Sequence, residues 1–234
     1  MARLPEEFLE WNYYARRELL MKVSRGLSGD PGGVFRELSA RHNAVLCTAS
    51  VNSEGGLDVN GKVVGVGYVP KLEWAGEIIA ELEEHLKLSD EELSCGGRSR
   101  EEVLREHSTR GIRLLLNHVY LEHSLADERI DFEKMASLEL ALRVPHSSKH
   151  TWRNVQEFKK ACLVFFQPPS ISFEVRCKVS IHESGDYWKL VNLIHDAFHY
   201  VPPERRFGRP AYVFHVEEVY DNSASASGFG RRLA

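Results

Sequence analysis

The sequence predicts an α+β fold in which antiparallel strands form a small β-barrel, with helices at the N-terminus and in an insertion. Residues 138–183 read as strand, polar turn, short helix, strand, Pro-Pro turn and strand. Within this stretch, residues 170–181 alternate apolar and polar side chains, which is typical of a half-buried strand. A small barrel with a cationic turn on its rim is the simplest structure that this pattern makes.

The composition is ordinary for a globular protein, and we expect a cytoplasmic location. The chain has 234 residues, 43% of them hydrophobic and 27% charged, which suits one large domain or a compact domain with an insertion. The net charge of −4 argues against general nucleic-acid affinity. No apolar run approaches the ~20 residues of a membrane span, and the acidic N-terminus lacks the apolar region of a signal peptide. Four cysteines without a CxxC spacing indicate free thiols in a reducing compartment.

The first 71 residues are predicted to form helices and then a hairpin. Residues 1–42 contain an amphipathic helix and a second short helix, which we assign as the N-terminal helices. Residues 43–71 contain the first barrel strands. Residues 43–51 are rich in β-branched and small side chains, and residues 57–69 follow a Gly55-Gly56 turn.

Residues 72–134 are predicted to be a helical insertion between the two β portions of the chain. Apolar residues at helical spacing over 74–88 and again over 103–125 indicate two long helices. Gly111 lies inside the second segment, where a glycine weakens a helix. We therefore expect the second helix to be interrupted or weakened at this glycine.

Two capping boxes are expected to mark helix starts within the insertion. Ser89 is followed three residues later by Glu92, and Ser99 is followed in the same way by Glu102. In this motif the serine hydroxyl accepts the amide of the third helical residue, while the carboxylate accepts the amide of the cap residue. A helix is therefore predicted to begin after each serine.

Residues 135–220 are predicted to form the remainder of the barrel with two helices, and residues 221–234 a flexible tail. Leu138, Leu140 and Leu142 alternate with more polar or smaller residues, the pattern of a half-buried strand that proline then ends. The tail is rich in Ser, Ala and Gly, so we expect it to be flexible unless a partner or ligand pins it.

Four segments follow one another in an informative order. They are NAVLCTASVNSEGGLDV, LELALRVPHSSKHTWRNVQEFKKACLVFF, SISFEVRCKVSI and AYVFHVEEVYD. Together they read as a hairpin, a strand with a polar turn and helix, and three further strands. This order resembles the flavin-binding split barrel of the pyridoxamine 5′-phosphate oxidase-like superfamily. The resemblance covers roughly half of the chain and implies a split β-barrel of antiparallel strands.

The resemblance also points to a set of cofactor-binding residues. In that family the turn after the third strand holds the flavin phosphate, and Ser147 and Lys149 correspond to it most directly. The full set expected at the cofactor is Arg143, His146, Ser147, Ser148, Lys149 and Arg153. A phosphate requires charge-assisted donors, and the N-terminus of a helix adds oriented amides. The chain departs from the family at Arg143-Val144, where many members carry a Thr-Asn type pair.

The cofactor, the assembly and the reaction class are likewise implied by the resemblance. FMN is the expected cofactor, and a deazaflavin or haem is the alternative, since related barrels bind these groups. A homodimer is expected because the flavin of that family lies at a two-fold interface. The reaction class would be two-electron transfer on an unassigned substrate with an unassigned electron donor. His146 and His150 are adjacent candidates for an acid or base.

The residues of the polar turn also have a purely structural interpretation. Serine and lysine are common in solvated turns, and Arg153 can be a surface residue of the first helical turn. A cation near the positive end of a helix is unfavourable, however, and this favours an anionic partner. Cys47 and Cys162 lie in apolar strands and are interpreted as core residues rather than nucleophiles.

A rival hypothesis rests on the histidines. His195 and His199 are four residues apart and share one face of a predicted helix, the spacing of a metal-binding pair. A third ligand would be needed, and His182 and His215 are possible suppliers. The simpler interpretation is that the pair forms hydrogen bonds near the helix end. The alternatives to a flavoprotein are therefore a metal-binding protein or hydrolase, and a non-enzymatic module whose insertion binds a protein partner.

Overall fold

The structure is a computed structural model that describes residues 1–26, 31–140, 145–206, 208–225 and 228–234. It is an α+β fold, as predicted. Seven strands lie within the described residues: β1 Asn43–Val51, β2 Leu57–Gly65, β3 Lys134–Leu138, β4 Lys160–Gln167, β5 Ile171–His182, β6 Ala211–Asp221 and β7 Arg231–Arg232.

The strands form one antiparallel sheet that closes on itself. The hydrogen-bonded order is β2-β1-β4-β5-β6-β3, and β7 pairs with the end of β6. Just after β2, Gly67 forms a bridge with Ala136 of β3, in which each amide donates to the other's carbonyl at 2.8 and 2.9 Å. This bridge joins the first and last strands of the order, so the sheet is a barrel without two long free edges. The predicted antiparallel barrel is confirmed.

The helices lie before the barrel, in the insertion and between later strands. They are α1 Glu6–Leu9, α2 Ala15–Ser24, α3 Pro31–His42, α4 Ala75–Cys95, α5 Arg100–His118, α6 His123–Arg129, α7 His150–Phe158 and α8 Gly185–Phe198. A π-helical turn, Glu10–Tyr14, joins α1 to α2, and short 3₁₀ turns occupy Leu72–Trp74, His146–Ser148 and Pro203–Arg205. Within the described parts of the chain, no helix is both long enough and apolar enough to cross a membrane.

The N-terminal helix packs its aromatic residues against the barrel. The ring of Phe8 is fully buried, and its centroid lies 5.4 Å from the rings of Phe165 on β4 and Phe173 on β5, edge to face in both cases. Farther along, the hydroxyl of Tyr13 donates to the carbonyl of Val119 at 2.9 Å, just beyond α5. Edge-to-face aromatic pairs add stability beyond the area they bury. The first helices therefore tie the barrel to the insertion.

The insertion differs from the prediction at one capping box and at Gly111. Ser99 caps α5 as predicted, since the Glu102 amide donates to its hydroxyl at 3.2 Å. Ser89 instead lies inside the continuous helix α4, where its buried hydroxyl donates to the carbonyl of His85 and bonds the ring of His107. The hydroxyl of Ser89 thus bonds His107 on another helix instead of capping a local one. The prediction of a helix start at Ser89 is wrong.

Gly111 does not interrupt α5, which runs through it without a break. A Cβ added at this position would lie 1.6 Å from the carbonyl oxygen of Ala197. The glycine is therefore required by the close approach of α5 to the end of α8, and the expected interruption of the helix is wrong.

Around Leu140, the buried and exposed side chains are the reverse of those predicted. β3 ends at Leu138, the side chain of Glu139 is only 3% exposed, and Leu140 is 54% exposed. The carboxylate turns inward because Lys62 of β2 and other polar groups satisfy it there, which the alternation of apolar residues does not reveal. Leu142 and the predicted cofactor residue Arg143 lie outside the described residues.

The C-terminal residues return to the sheet. Arg231 pairs with Asp221 and Arg232 with Tyr220, while Leu233 and Ala234 pack against the core. The Val219 amide also donates to the carbonyl of Ala234 at 3.1 Å. The barrel itself thus holds the end of a tail that was expected to be flexible unless pinned.

Candidate functional site

Helix α7 covers one end of the β1–β2 hairpin through buried polar contacts. The Asn60 side chain donates to the Thr151 hydroxyl at 2.8 Å, and the Asn154 side chain donates to the Thr48 hydroxyl at 3.2 Å. Thr151 and Asn154 are both almost completely buried. The Oδ1 atom of Asn154 is buried with no hydrogen-bond partner among the described residues, although buried acceptors are nearly always satisfied. The start of α7 is thus fixed against the barrel and carries an unsatisfied acceptor.

Two lysines converge on one buried carboxylate beside α7. The Nζ atom of Lys62 lies 2.8 Å from Oε2 of Glu139, and Nζ of Lys149 lies 3.3 Å from Oε1. The Tyr212 hydroxyl donates to the same carboxylate at 3.2 Å. Burial, and after it the charge of Glu139, raises the pKa of Tyr212, so this hydroxyl stays protonated. We call Lys62, Glu139, Lys149 and Tyr212 the lysine corner; the formal charges of its three ionised groups sum to +1.

An aromatic pair lies next to the lysine corner. The rings of His146 and Trp152 are stacked with centroids 4.8 Å apart and planes inclined by 23°. The Trp152 ring is half-buried, and its centroid lies 6.3 Å from that of Tyr212. We call His146 and Trp152 the aromatic shelf. A partly open aromatic surface beside two ammonium groups suits a ligand that combines a planar ring with an anionic group.

The predicted cofactor residues fall into two groups. His146 and Lys149 lie together, with Nζ of Lys149 3.3 Å from Nδ1 of His146. Ser147, Ser148 and Arg153 are exposed around them, and the Ser148 hydroxyl donates to the carbonyl of the preceding proline at 2.8 Å. Five of the six predicted residues are therefore close in space, and the binding role of each remains a prediction.

Sequence reasoning missed Trp152 of the aromatic shelf and three of the four members of the lysine corner. Lys62, Glu139 and Tyr212 come from β2, the end of β3 and β6, and lie up to 150 positions apart along the chain. The one local signal was a glutamate among the leucines of residues 138–142, which is ambiguous without its partners.

A cleft of about 700 Å³ lies on the outer side of the sheet. Cys47, Cys162 and Arg176 help to line it, and none of the predicted cofactor residues does. Thr48, which bonds Asn154 of α7, also lines the cleft. The lysine corner itself is largely closed within one chain, since the side chains of Lys149 and Glu139 are 12% and 3% exposed.

The outer side of β1, β2 and β4 is unusually apolar for a sheet surface. Val45 pairs with Val63 on β2 and with Val164 on β4, so these side chains lie on one face. The exposed large members of this apolar face are Val45, Val51, Leu57, Val59, Val63 and Phe166. A contiguous exposed apolar surface of this kind marks an interaction site.

Two cysteines face each other in the middle of the apolar face. Cys47 and Cys162 are directly opposite in the β1–β4 pairing, and both are half-buried rather than in the core where we expected them. Burial, and then the charge of Glu174, raises the pKa of Cys162 to about 12 and also raises that of Cys47. Both therefore remain protonated thiols at neutral pH, which does not suit a nucleophile.

Comparisons with known proteins found similarity to solved structures only. No protein-family model matches the chain, and no curated protein sequence matches it. HupZ of Group A Streptococcus is similar at 11% identity and a TM-score of 0.36, over 78% of this chain and 88% of that one. An F420 reductase is similar at 12% identity and a TM-score of 0.33, over 75% and 88%. A Listeria innocua protein provisionally named a pyridoxamine 5′-phosphate oxidase is similar at 10% identity and a TM-score of 0.35, over 77% and 87%.

At such low identity and TM-score, the similarity carries no information about chemistry. The assignment of the barrel rests on the strand order and on the closing bridge of this chain itself.

His182 and His215 lie apart from the histidine pair at the end of α8. The rings of His195 and His199 lie side by side at the end of α8, with centroids 5.0 Å apart. His182 and His215 instead flank the hydroxyl of Ser180, each with Nε2 at 2.9 Å, on strands β5 and β6. His182 also contacts Tyr187 in the first turn of α8, far from its last turn. The two suggested suppliers of a third ligand are thus at the opposite end of that helix.

One further cluster has metal-ligand composition. Among the side chains that the structure describes, Glu6, Glu10 and His123 form the one group of three whose ligand atoms lie within 4.8 Å of one another. All three are exposed, and exposed acidic groups of this kind are common without a bound ion.

Proposed function

We propose that this chain binds a phosphate-bearing flavin, FMN in the first instance, at the lysine corner and the aromatic shelf. The observation that carries the proposal is the convergence of Lys62, Lys149 and Tyr212 on one buried carboxylate beside a half-open tryptophan. Bound there, the flavin would supply two-electron redox chemistry, while the protein supplies orientation and electrostatics. The substrate and the electron donor stay unassigned.

The phosphate would be held by Lys149 and its neighbours in the turn. The Lys149–Glu139 contact of 3.3 Å is longer than the Lys62–Glu139 contact of 2.8 Å, and Lys149 lies in the turn that the resemblance assigns to the phosphate. The hydroxyls of Ser147 and Ser148 and the guanidinium of Arg153 surround the same turn, on the exposed side. Charge-assisted bonds to a phosphate are stronger than neutral ones, and α7 adds the amides of its first turn.

The ring system would be held by the aromatic shelf. Trp152 and His146 already stack on one another, so their outer faces are oriented without further loss of side-chain freedom. The buried Oδ1 of Asn154 is an acceptor that a donor group of the ligand can satisfy. A deazaflavin phosphate has the same two recognition elements, and haem replaces the phosphate with carboxylates, so these are the alternative ligands.

We further propose that the apolar face is covered by a second copy of this chain. Its exposed valines and Phe166 lie on a regular sheet surface, and a two-fold dimer buries the same patch on both subunits. The cleft lined by Cys47 and Cys162 opens on this same face, so a second copy seated there would also cover the cleft.

Absorption and ligand titration test the cofactor proposal. Native protein should show flavin absorption, or the apo-protein should bind added FMN and gain thermal stability from it. Lys149→Ala should raise the Kd for FMN roughly 10- to 100-fold, since a charge-assisted bond contributes ~1.5–3 kcal/mol. Lys189→Ala is the matched control, because Lys189 is an exposed lysine of α8 that pairs with Glu83 away from the corner.

The opposite result is equally clear. A colourless protein whose melting temperature and fluorescence do not respond to FMN would overturn the proposal. If such a protein also associated stably with another protein, the non-enzymatic interaction module would be the better description. A haem or deazaflavin spectrum would keep the site and change the ligand.

A further inference from the structure

Two histidines with a supporting carboxylate lie at the end of α8: His195 in its last turn and His199 directly after it. His195 and His199 are one helical turn apart, and their rings are inclined by 36° with centroids 5.0 Å apart. His199 is exposed and His195 is half-buried, so both rings are reachable from solvent. Two imidazoles spaced by four residues on a helix can bind one metal ion.

Asp196 fixes the orientation of His195. Its Oδ1 atom lies 2.8 Å from Nδ1 of His195, and Arg209 donates to both carboxylate oxygens at 2.7 Å. Asp196 and Arg209 are almost completely buried. Because an ionised carboxylate only accepts hydrogen bonds, Nδ1 of His195 carries the proton and Nε2 presents its lone pair. A carboxylate that orients a histidine in this way is the usual outer partner of a metal ligand.

The insertion holds the backbone of this turn in place. The carbonyls of residues 196, 197 and 198 accept hydrogen bonds from His107 at 2.8 Å, His85 at 3.1 Å and Ser108 at 3.0 Å. Gly111 lets α5 approach the same carbonyls closely. Three consecutive carbonyls that would otherwise end the helix unsatisfied are thus bound by side chains of α4 and α5. The two histidines therefore stand on a rigid support.

We propose that His195 and His199 form a binding site for a divalent transition metal, with Asp196 as the outer partner that orients His195. Two imidazoles suit Zn²⁺, Ni²⁺ and Cu²⁺, and their order of affinity should follow Zn²⁺ below Cu²⁺. Two protein ligands leave the other coordination positions to water or to a bound anion. This assigns a function to the insertion that is independent of the flavin proposal, namely to hold the metal-binding turn.

The other candidate groups lack this support. The Glu6, Glu10 and His123 side chains are exposed, and His182 and His215 are each bonded to the Ser180 hydroxyl instead of to a carboxylate. Because these groups could bind metal weakly by themselves, the test must separate them from the pair on α8.

Zn²⁺ titration of tag-free, chelator-treated full-length protein tests the proposal by calorimetry. We expect one Zn²⁺ per chain, lost in His195→Ala and in His199→Ala. Asp196→Asn should weaken binding 10- to 100-fold, the usual effect of removing an outer partner. His182→Ala and His123→Ala are the matched controls and should bind as the wild type does. Circular dichroism and melting temperature, measured on each variant, show whether the fold is retained.

A second measurement keeps the proposal testable if Asp196→Asn does not fold, since that change also removes the partner of Arg209. Cu²⁺ bound to wild-type protein should show hyperfine coupling to two imidazole nitrogens by electron paramagnetic resonance, and to one in His199→Ala. Equal Zn²⁺ binding by the wild type, His195→Ala and His199→Ala would overturn the proposal. Loss of binding in His182→Ala or His123→Ala alone, or no Zn²⁺ binding by the wild type, would overturn it as well.

Discussion

Nζ of Lys149 lies 3.3 Å from Oε1 of Glu139, a carboxylate whose side chain is 3% exposed and which also binds Lys62. Removing one partner of a buried ion pair leaves the other charges without compensation. Glu139→Gln should therefore destabilise the apo-protein by about 3 kcal/mol, the low end of the usual range because Lys62 is partly exposed. Urea denaturation followed by circular dichroism measures this loss.

The same variant should bind FMN more tightly than the wild type does. Glu139→Gln removes the carboxylate charge that competes with a phosphate for Lys62 and Lys149, so FMN should raise the melting temperature of the variant by more than that of the wild type. Riboflavin has the same ring and no phosphate, and it should show no such difference. An equal response of both proteins to FMN would separate the lysine corner from phosphate binding.

Trp152 gives a prediction for the ring of the cofactor. Its indole is half-buried and stacked on His146, so Trp152→Ala should weaken FMN binding several-fold, from a loss of ~0.5–1.5 kcal/mol of aromatic contact. Trp152→Phe should retain most of the affinity. Trp188→Phe is the control, since Trp188 donates to the carbonyl of Arg209 on another part of the molecule. Fluorescence titration with FMN would contradict the assignment if Trp152→Ala bound normally.

Val59 tests the proposed dimer. It is 74% exposed on the outer side of β2, in the middle of the apolar face. A buried, unpaired carboxylate in an apolar interface is costly, so Val59→Glu should convert a dimer into a monomer without unfolding it. Light scattering after size-exclusion chromatography measures the change. Leu88→Glu, on the exposed side of α4, should leave the mass unchanged; a monomeric wild type would dismiss the dimer.

Gly111 predicts a strong effect from one methyl group. A Cβ there would lie 1.6 Å from the carbonyl oxygen of Ala197. This oxygen belongs to the backbone, so it cannot move aside as the end of a flexible side chain can. Gly111→Ala should therefore destabilise the protein by about 3 kcal/mol or more. Gly76→Ala, in α4 with nothing within 4 Å, should stabilise it by ~0.5–1 kcal/mol because alanine favours a helix. Chemical denaturation of both variants should give opposite signs.

His107 predicts how stability depends on pH. Burial, followed by the charge of His85, lowers the pKa of His107 from 6.5 to about 4, and Arg110 and Arg206 act in the same direction. Between these values the unfolded chain binds a proton that the folded chain does not bind. Stability should therefore fall as the pH decreases from about 6.5 to about 4. His107→Gln should flatten this dependence in denaturation experiments, whereas His150→Gln, at an exposed site, should not.

Local patterns predicted the elements that depend on neighbouring residues. The alternation predicted for residues 170–181 and the capping box at Ser99 both involve groups within a few positions of each other, and the structure has a strand at Ile171–His182 and the cap at Ser99. Ser89 failed as a cap because His107, on a different helix, competes for its hydroxyl. The inward turn of Glu139 depends on Lys62, which is 77 positions away.

The candidate site was predictable only in its local part. The turn from His146 to Arg153 is contiguous in sequence, so its serines, lysine and arginine could be recognised together. The pairing of Asp196 with Arg209 could not be recognised, because it requires the loop before β6 to fold back onto the end of α8. Polar groups gain partners through the barrel topology, which periodicity does not encode.

The bridge between Gly67 and Ala136 has a consequence for how the chain tolerates length changes. A second bridge, between Pro70 and Ile130, places the chain just before the insertion beside a residue near the end of the insertion. A segment whose ends meet can be lengthened, shortened or exchanged while its host keeps the same connectivity. Variation in this region would then alter the support beneath the last turn of α8 and leave the seam of the barrel closed.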